Sequence, residues 1–171
     1  MFKIRKNLFE TNSSSTHSVS IEGDKKLDEP DLSICLKNNK VKCKFGEFGW
    51  EIDSYADQEI KLSYLLTLIA EVNKREDNLC SFYELEDFKK VEDVIKKHCK
   101  CDGIDIGEEP KIEKYKCYDG EYYSYNIDGY IDHQSIETYH CLNDFLNDWG
   151  VTIEEFIFSP NVWLNTDNDN Y

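Results

Sequence analysis

The sequence predicts an α+β fold, in which short antiparallel strands and hairpins pack against a helical hairpin. Apolar residues recur at helical spacing over two consecutive stretches, at about residues 58–74 and 81–98. Short runs that alternate apolar and polar residues, bounded by Asn-Asn or Asp-Gly pairs, occupy much of the remaining chain. The 171 residues show no internal repeat and no break in composition, so we expect a single domain over residues 1–171.

The N-terminal quarter of the chain is expected to form strands. A polar loop, residues 9–18, separates the first two, and the Asn38-Asn39 pair predicts a hairpin turn between the next two because Asn tolerates positive φ. The predicted strands are residues 2–8, 19–21, 32–36 and 41–45.

Two helices are expected to follow as an antiparallel pair. The first should be the core helix, and its apolar stripe consists of Leu62, Leu65, Leu66, Ile69 and Val72. Ser81 and Glu84 have the spacing of a capping box, which predicts the start of the second helix.

The C-terminal half of the chain predicts a second hairpin, further helices and a last strand. Tyr and Lys alternate on both sides of Asp119-Gly120, which is typical of a two-stranded ribbon. Gly150 predicts a helix end, and Thr152 with Glu155 predicts the cap of the next helix. The predicted elements are strands 114–118 and 121–125, a helix over 136–149, a short helix after Thr152 and a strand over 161–165.

The charge of the chain constrains its partners. Against 35 Asp and Glu the chain has 20 Lys and Arg, which gives a formal net charge of -15. This balance argues against capture of a nucleic-acid backbone and favours a basic protein surface, including a groove that normally holds DNA or RNA. The chain contains no long apolar run and no signal peptide, so we expect a cytoplasmic protein with no membrane partner.

The cysteine pattern predicts a structural zinc site. Seven cysteines in a chain without an export signal indicate reduced thiols or a metal site, and the one-residue spacing of Cys99 and Cys101 lets both point at one ion. Cys117 precedes an Asp-Gly turn and supplies a third ligand. Cys141 is the preferred fourth ligand, and His140 and His98 are the alternatives. The competing interpretation is that these thiols are small apolar residues.

A different group of residues predicts an enzyme as the alternative function. His17 in the polar loop and His133 in the Asp132–Ser135 segment could act as acid and base on an RNA phosphodiester, with Ser135 holding phosphate oxygens. Because the chain is strongly acidic, a partner would have to deliver the RNA. We therefore expect a non-enzymatic protein, and the alternative hypothesis is a ribonuclease or another phosphoryl-transfer enzyme.

Two segments carry a resemblance to a known group of proteins. The run Phe-Glu-Thr-Asn-Ser-Ser-Ser-Thr-His-Ser at residues 9–18 resembles the N-terminal signature of small proteins carried by phages and prophages of Gram-positive bacteria, and residues 129–135 and 166–170 resemble the same group. Small acidic phage proteins of this kind include type II-A anti-CRISPR proteins, which bind Cas9 and keep DNA out. The resemblance implies an inhibitory binding protein that a metal could stabilise, and it transfers no contact residue.

Overall fold

The computed structural model describes residues 17–49, 53–73, 79–117 and 120–166 of the chain. Its helices are α1 (Gln58–Val72), α2 (Glu86–Cys99), α3 (His133–Ile136), α4 (Leu142–Trp149) and α5 (Ile153–Phe158). Its strands are β1 (Ser18–Ile21), β2 (Ile34–Cys35), β3 (Lys40–Lys42), β4 (Glu47–Phe48), β5 (Ser54–Tyr55), β6 (Ile104–Asp105), β7 (Lys111–Cys117), β8 (Gly120–Asn126), β9 (Tyr130–Ile131) and β10 (Val162–Asn165). The predicted α+β class is confirmed.

Helix α1 lies at the centre of the fold, as its apolar stripe predicts. The carboxylate of Asp57 accepts hydrogen bonds from the backbone N–H groups of Glu59 and Ile60, which satisfies two of the donors that a helix start leaves unpaired. Nine of its fifteen residues are buried, and the helix contacts the four other helices as well as β8 and β9. A helix that is buried on nearly all sides must carry apolar residues around its whole circumference.

One buried residue of α1 is charged. The side chain of Lys61 is fully buried, and its ammonium group donates hydrogen bonds to the carbonyl oxygens of Ser159 at 2.9 Å and Val162 at 3.1 Å. Burial lowers the pKa of Lys61 to about 8, against a smaller opposing influence of Asp57. The contact ties α1 to the turn between α5 and β10.

The strands form small sheets that connect distant parts of the chain. The first sheet has the order β1-β10-β5, with Val19 opposite Leu164, and the second has the order β2-β3-β6, in which β3 and β6 run parallel. Strands β4 and β9 form a short parallel pair, and β7 with β8 forms a separate antiparallel ribbon. The predicted hairpins are confirmed: Asn39 adopts a positive φ of 50° between β2 and β3, and the β7–β8 ribbon is longer than predicted.

The predicted start of α2 is wrong. The hydroxyl of Ser81 does not cap a helix but hydrogen-bonds the carboxylate of Glu109, which also accepts the backbone N–H of Phe82. A short 3-10 turn, Phe82–Glu84, follows Ser81, and α2 begins only at Glu86, after a Leu85 cap position without a side-chain hydrogen bond. The Ser81 hydroxyl thus forms a tertiary hydrogen bond with Glu109 in place of the predicted helix cap.

The single helix predicted over residues 136–149 is also wrong, since α3 ends at Ile136, residues 137–141 are not helical and α4 begins only at Leu142. The break lies before Cys141, where the backbone N–H of His140 donates to the carboxylate of Asp144 at 2.9 Å. The two end signals are confirmed: Gly150 adopts a left-handed conformation after α4, and Thr152 forms a capping box with Glu155.

The buried apolar residues of the described ranges form one cluster, to which all five helices and strands β1, β3, β4, β6, β8, β9 and β10 contribute. Within those ranges no helix has the length and hydropathy needed to cross a membrane. The strand predicted at residues 2–8, most of the polar loop and the acidic tail after Thr166 lie outside the described residues.

Candidate functional site

The structure brings together the two polar segments from which we predicted a possible active site, namely the end of the polar loop at His17 and the Asp132–Ser135 segment. The backbone N–H of His17 donates to the hydroxyl of Ser135 at 2.9 Å, across 118 positions of the chain. The Ser135 hydroxyl lies 3.4 Å from a carboxylate oxygen of Asp132, and the Ser135 N–H donates to the Asp132 carbonyl. We call His17, Tyr64, Asp132 and Ser135 the polar centre; all four are buried.

The imidazole of His17 is held on both sides. Its Nε2 lies 2.8 Å from the carbonyl oxygen of Gly49 and its Nδ1 lies 3.3 Å from the hydroxyl of Tyr64. A carbonyl can only accept, so Nε2 carries the proton and Nδ1 accepts from the Tyr64 hydroxyl. Burial lowers the pKa of His17, and the Gly49 hydrogen bond and the charge of Asp132 only partly oppose this effect. His17 is therefore a neutral, inward-facing ring with both nitrogens engaged.

His133 occupies the outer side of the same region. Its side chain is 80% exposed, and its Nδ1 lies 3.4 Å from a carboxylate oxygen of Asp132. The ring lines a shallow cavity of about 470 Å³ together with Gly49, Glu71, Tyr130, Ile131 and Asp132. Both predicted imidazoles thus interact with Asp132, but one does so from the interior and the other from the surface.

The two neighbouring cysteines of the predicted zinc site form a bend at the end of α2. Lys100 lies between them in a left-handed conformation with φ of 52°, and we call Cys99, Lys100 and Cys101 the thiol bend. The thiol of buried Cys101 lies 3.5 Å from the carbonyl of Gly103 and 3.9 Å from that of Ile95. Burial raises the pKa of Cys99 to about 11, with a smaller effect from Cys101, so this thiol is protonated near neutral pH.

The structure does not bring Cys141 to the thiol bend. Cys141 stands at the start of α4, and the next residue, Leu142, donates its N–H to the carboxylate of Asp87 at 3.0 Å. Asp87 belongs to the first turn of α2, whereas Cys99 is the last residue of that helix. The rise of an α-helix separates those two positions by about 18 Å. Cys141 and the neighbouring alternative ligand His140 therefore lie at the opposite end of α2 from Cys99.

The remaining predicted ligands have different outcomes. The side chain of Cys117 lies outside the described residues. His98 is close to Cys99 in α2, but its ring packs against Phe158 at 4.8 Å between centroids, and its Nε2 lies 3.2 Å from a carboxylate oxygen of Glu154. In the described part of the chain, no three His, Cys, Asp or Glu side chains are grouped as metal ligands would be. Zinc at Cys99 and Cys101 stays a prediction.

A surface feature that the sequence did not indicate lies beside α1. Two cavities of about 940 and 450 Å³ adjoin and share Lys44, Ile106 and Gly107 as lining residues. We call the two neighbouring cavities together the trough; their lining extends from the first turn of α1, past β3, β4 and β6, to the base of the β7–β8 ribbon. No local motif marks this trough, because its walls come from segments that are separated along the chain.

The wall of the trough between β3 and β4 is anchored on α1. The hydroxyl of Ser63 donates to the carbonyl of Lys44 at 2.8 Å, and the N–H of Gly46 donates to the hydroxyl of Thr67 at 2.9 Å. A Cβ at Gly46 would lie 2.5 Å from the ring of Phe48, so only glycine permits this approach. These contacts fix residues 44–46 of this wall against α1.

Comparisons of the chain with protein families, with curated proteins and with solved structures gave no match.

Proposed function

We propose that this chain is a non-enzymatic binding protein that docks on a basic, nucleic-acid-binding surface of a partner protein. The observation that supports this proposal is the sign of the exposed charge. In the described ranges, twenty Asp and Glu residues are exposed, against ten exposed Lys residues. An anionic surface of this kind is attracted to a cationic cleft and repelled by nucleic acid itself.

The acidic excess is unevenly distributed. Ion pairs neutralise carboxylates along α2, as between Lys96 and Glu92 at 2.6 Å, and on the ribbon, as between Lys114 and Glu121 at 2.6 Å. Around the start of α1 the carboxylates gather instead. The side chain of Gln58 bonds the carbonyl of Glu29 and the N–H of Asp31, which places residues 29–31 beside the first turn of α1. This part of the surface is therefore the best candidate for meeting a basic partner.

The partner we propose is a Cas9-type nuclease, on the strength of the resemblance to acidic phage inhibitors. Such a nuclease holds its guide–target duplex in a positively charged channel and recognises its backbone. An acidic protein that occupied this channel would block nucleic-acid loading by exclusion. Electrostatic attraction between the acidic surface and the basic channel would speed association, and added salt would weaken this attraction.

The direct test is binding of the purified protein to a purified Cas9-type nuclease, with and without guide RNA, measured by calorimetry. We expect binding that weakens about tenfold or more between low and moderate salt and that excess guide RNA or target DNA prevents. Absence of binding, or binding that salt leaves unchanged, would contradict the proposal.

One observation favours a second candidate, which is phosphoryl transfer. His133 is exposed, paired with Asp132 and placed at a cavity, which is the arrangement expected of an accessible general base. In this version His133 does the proton transfer, whereas His17 positions Ser135 from the interior.

The second candidate is tested by incubating guide RNA with the protein, with and without the nuclease. Cleavage that is lost in His133→Ala and kept in His140→Ala, a variant of another exposed histidine, would support it. Intact RNA in every sample would remove it.

A further inference from the structure

The trough beside α1 combines an acidic lining with an apolar floor. Seven carboxylates and three lysines line its two cavities. The carboxylates belong to Glu47, Asp57, Glu59, Asp105, Glu108, Glu109 and Asp128, and the lysines are Lys42, Lys44 and Lys111. Apolar contact surface comes from Phe45, Phe48, Ile60, Ile106 and Ile127. The lining therefore favours a ligand that is both cationic and partly apolar.

Some of these carboxylates already have partners, and others are available. Asp57 caps α1, Asp105 accepts hydrogen bonds from the side chain of Asn38 and the N–H of Gly107, and Glu109 holds Ser81. Glu47 and Glu59 are exposed, and within the described part of the chain neither side chain forms an ion pair or hydrogen bond. These two carboxylates can each take a cationic partner without breaking an existing contact.

The shape of the trough favours a length of polypeptide over a compact small molecule. The larger cavity alone, at about 940 Å³, is at the upper end of the usual range for small-ligand sites, and the second cavity continues it. An extended segment presents side chains alternately to opposite sides. Such a segment could therefore set apolar side chains on the floor and cationic ones against the rim.

We propose that the trough is the docking site for an extended segment of the partner protein that contains Lys or Arg together with apolar residues. The cationic side chains pair with Glu47 and Glu59, and the apolar side chains cover Phe48, Ile60 and Ile106. This inference deepens the proposed function and rests on it, since it names the part of the acidic surface that the basic partner contacts.

The first test compares two charge-reversal variants of the full chain. Glu47→Lys with Glu59→Lys changes the trough, and Asp93→Lys with Glu137→Lys makes the same change in net charge at exposed positions that do not line it. We expect the trough variant to weaken binding to the nuclease about tenfold or more, and the control to weaken it less than about threefold. Equal losses would show that only the total charge matters and would overturn the docking site.

The second test needs no variant and so does not depend on the folding of a mutant. Peptides of about eight residues, one with arginine alternating with valine and one with arginine alternating with serine, are titrated into the wild-type protein while backbone amide shifts are recorded. We expect shifts at Lys44, Ile60 and Ile106, and about threefold or more tighter binding of the valine peptide. Shifts scattered over the acidic surface, or equal affinities, would overturn the proposal.

The two tests separate this inference from the proposed function. If the wild-type protein binds the nuclease but both reversal variants bind equally well, the proposed function stands and the trough does not. If the valine peptide binds in the trough while the nuclease is not bound at all, the docking site stands and the proposed partner falls.

Discussion

The polar centre and the thiol bend differ in how their members meet. The polar centre joins the residue before β1, a residue of α1, and Asp132 and Ser135 at the start of α3 and within it, and its two hydrogen bonds from His17 span 47 and 118 positions of the chain. The thiol bend joins Cys99 and Cys101 through one intervening residue, and the Cys101 thiol lies near the carbonyls of Gly103 and Ile95, within six positions of it. The first region therefore depends on the packing of remote segments, whereas the second consists of neighbours along the chain.

Because of this difference, we expect the fold to depend more strongly on the polar side chains of the polar centre than on the cysteines of the thiol bend. In the polar centre His17 bonds Tyr64, Gly49 and Ser135, all remote in the chain, so its substitution leaves polar groups without a partner in a buried place, which is costly. In the thiol bend the buried Cys101 has only backbone carbonyls as polar neighbours, and without a bound metal it would act mainly as a small apolar side chain. Substitutions in the two regions should therefore have different effects.

The largest effect is expected for His17→Ala. The change removes a buried ring and leaves the Gly49 carbonyl and the Tyr64 hydroxyl without their partner. We expect the free energy of unfolding to fall by about 3 kcal/mol, measured by urea denaturation. His133→Ala is the matched control and should cost less than about 0.5 kcal/mol, because that ring is mostly exposed. Similar losses in the two variants would contradict the assigned burial.

A smaller effect is expected for Cys101→Ser in the thiol bend. Cys101 is 8% exposed and packs in the core, so a hydroxyl there loses apolar transfer free energy while it keeps carbonyl acceptors within reach. We expect a loss of about 1–2 kcal/mol by the same measurement. The same substitution at the exposed Cys80 serves as the control and should change stability by less than about 0.5 kcal/mol. No loss in Cys101→Ser would show that the thiol is not a core residue.

The polar centre should also make stability dependent on pH in mild acid. Burial lowers the pKa of His17 below its ordinary value of 6.5, so the unfolded chain takes up a proton more readily than the folded one. The contribution of His17 is complete above that value and is lost as the pH falls through the lowered pKa. The stability advantage of the wild type over His17→Gln should therefore shrink between neutral pH and pH of about 5. An advantage that does not change with pH would exclude a neutral, buried His17.

The smallest effect is expected for Cys141→Ser on metal content. Elemental analysis of protein purified without added metal tests the zinc prediction, and loss of bound zinc in Cys99→Ser would support it. Because Cys141 lies at the other end of α2, Cys141→Ser should leave the zinc content equal to that of the wild type. A fall in zinc in Cys141→Ser would contradict the placement of Cys141 away from Cys99, because the ligands of one zinc ion lie within a few ångströms of each other.

Predictions made from local patterns succeeded where the partner lies within a few residues. The turn at Asn39, the end of α4 at Gly150 and the capping box of Thr152 with Glu155 each depend on neighbours along the chain. Ser81 has the same local signal, yet Glu109, 28 positions away, bonds its hydroxyl. A cap motif predicts a helix only when no tertiary acceptor competes for the hydroxyl.

The candidate sites likewise include one group that the structure brings together and one that it does not. We predicted His17, His133 and Ser135 as one candidate catalytic group from their residue types alone, and the structure places all three around Asp132. Residue type also selected Cys99 and Cys141, which the structure separates along α2. Sequence spacing cannot distinguish these cases, because the distance between remote segments depends on packing.

By itself the sequence determined the α+β class, the central helix and the acidic excess, since these follow from local periodicity and composition. Only the tertiary structure decided that His17 is buried and neutral, that Lys61 is enclosed by carbonyls, and that a trough with Glu47 and Glu59 on its rim lies beside α1. The physical reason is the distance along the chain over which each interaction acts. A residue's conformational preference depends on neighbours within about one helical turn, whereas its burial and its partners depend on remote segments that only the packed core brings close.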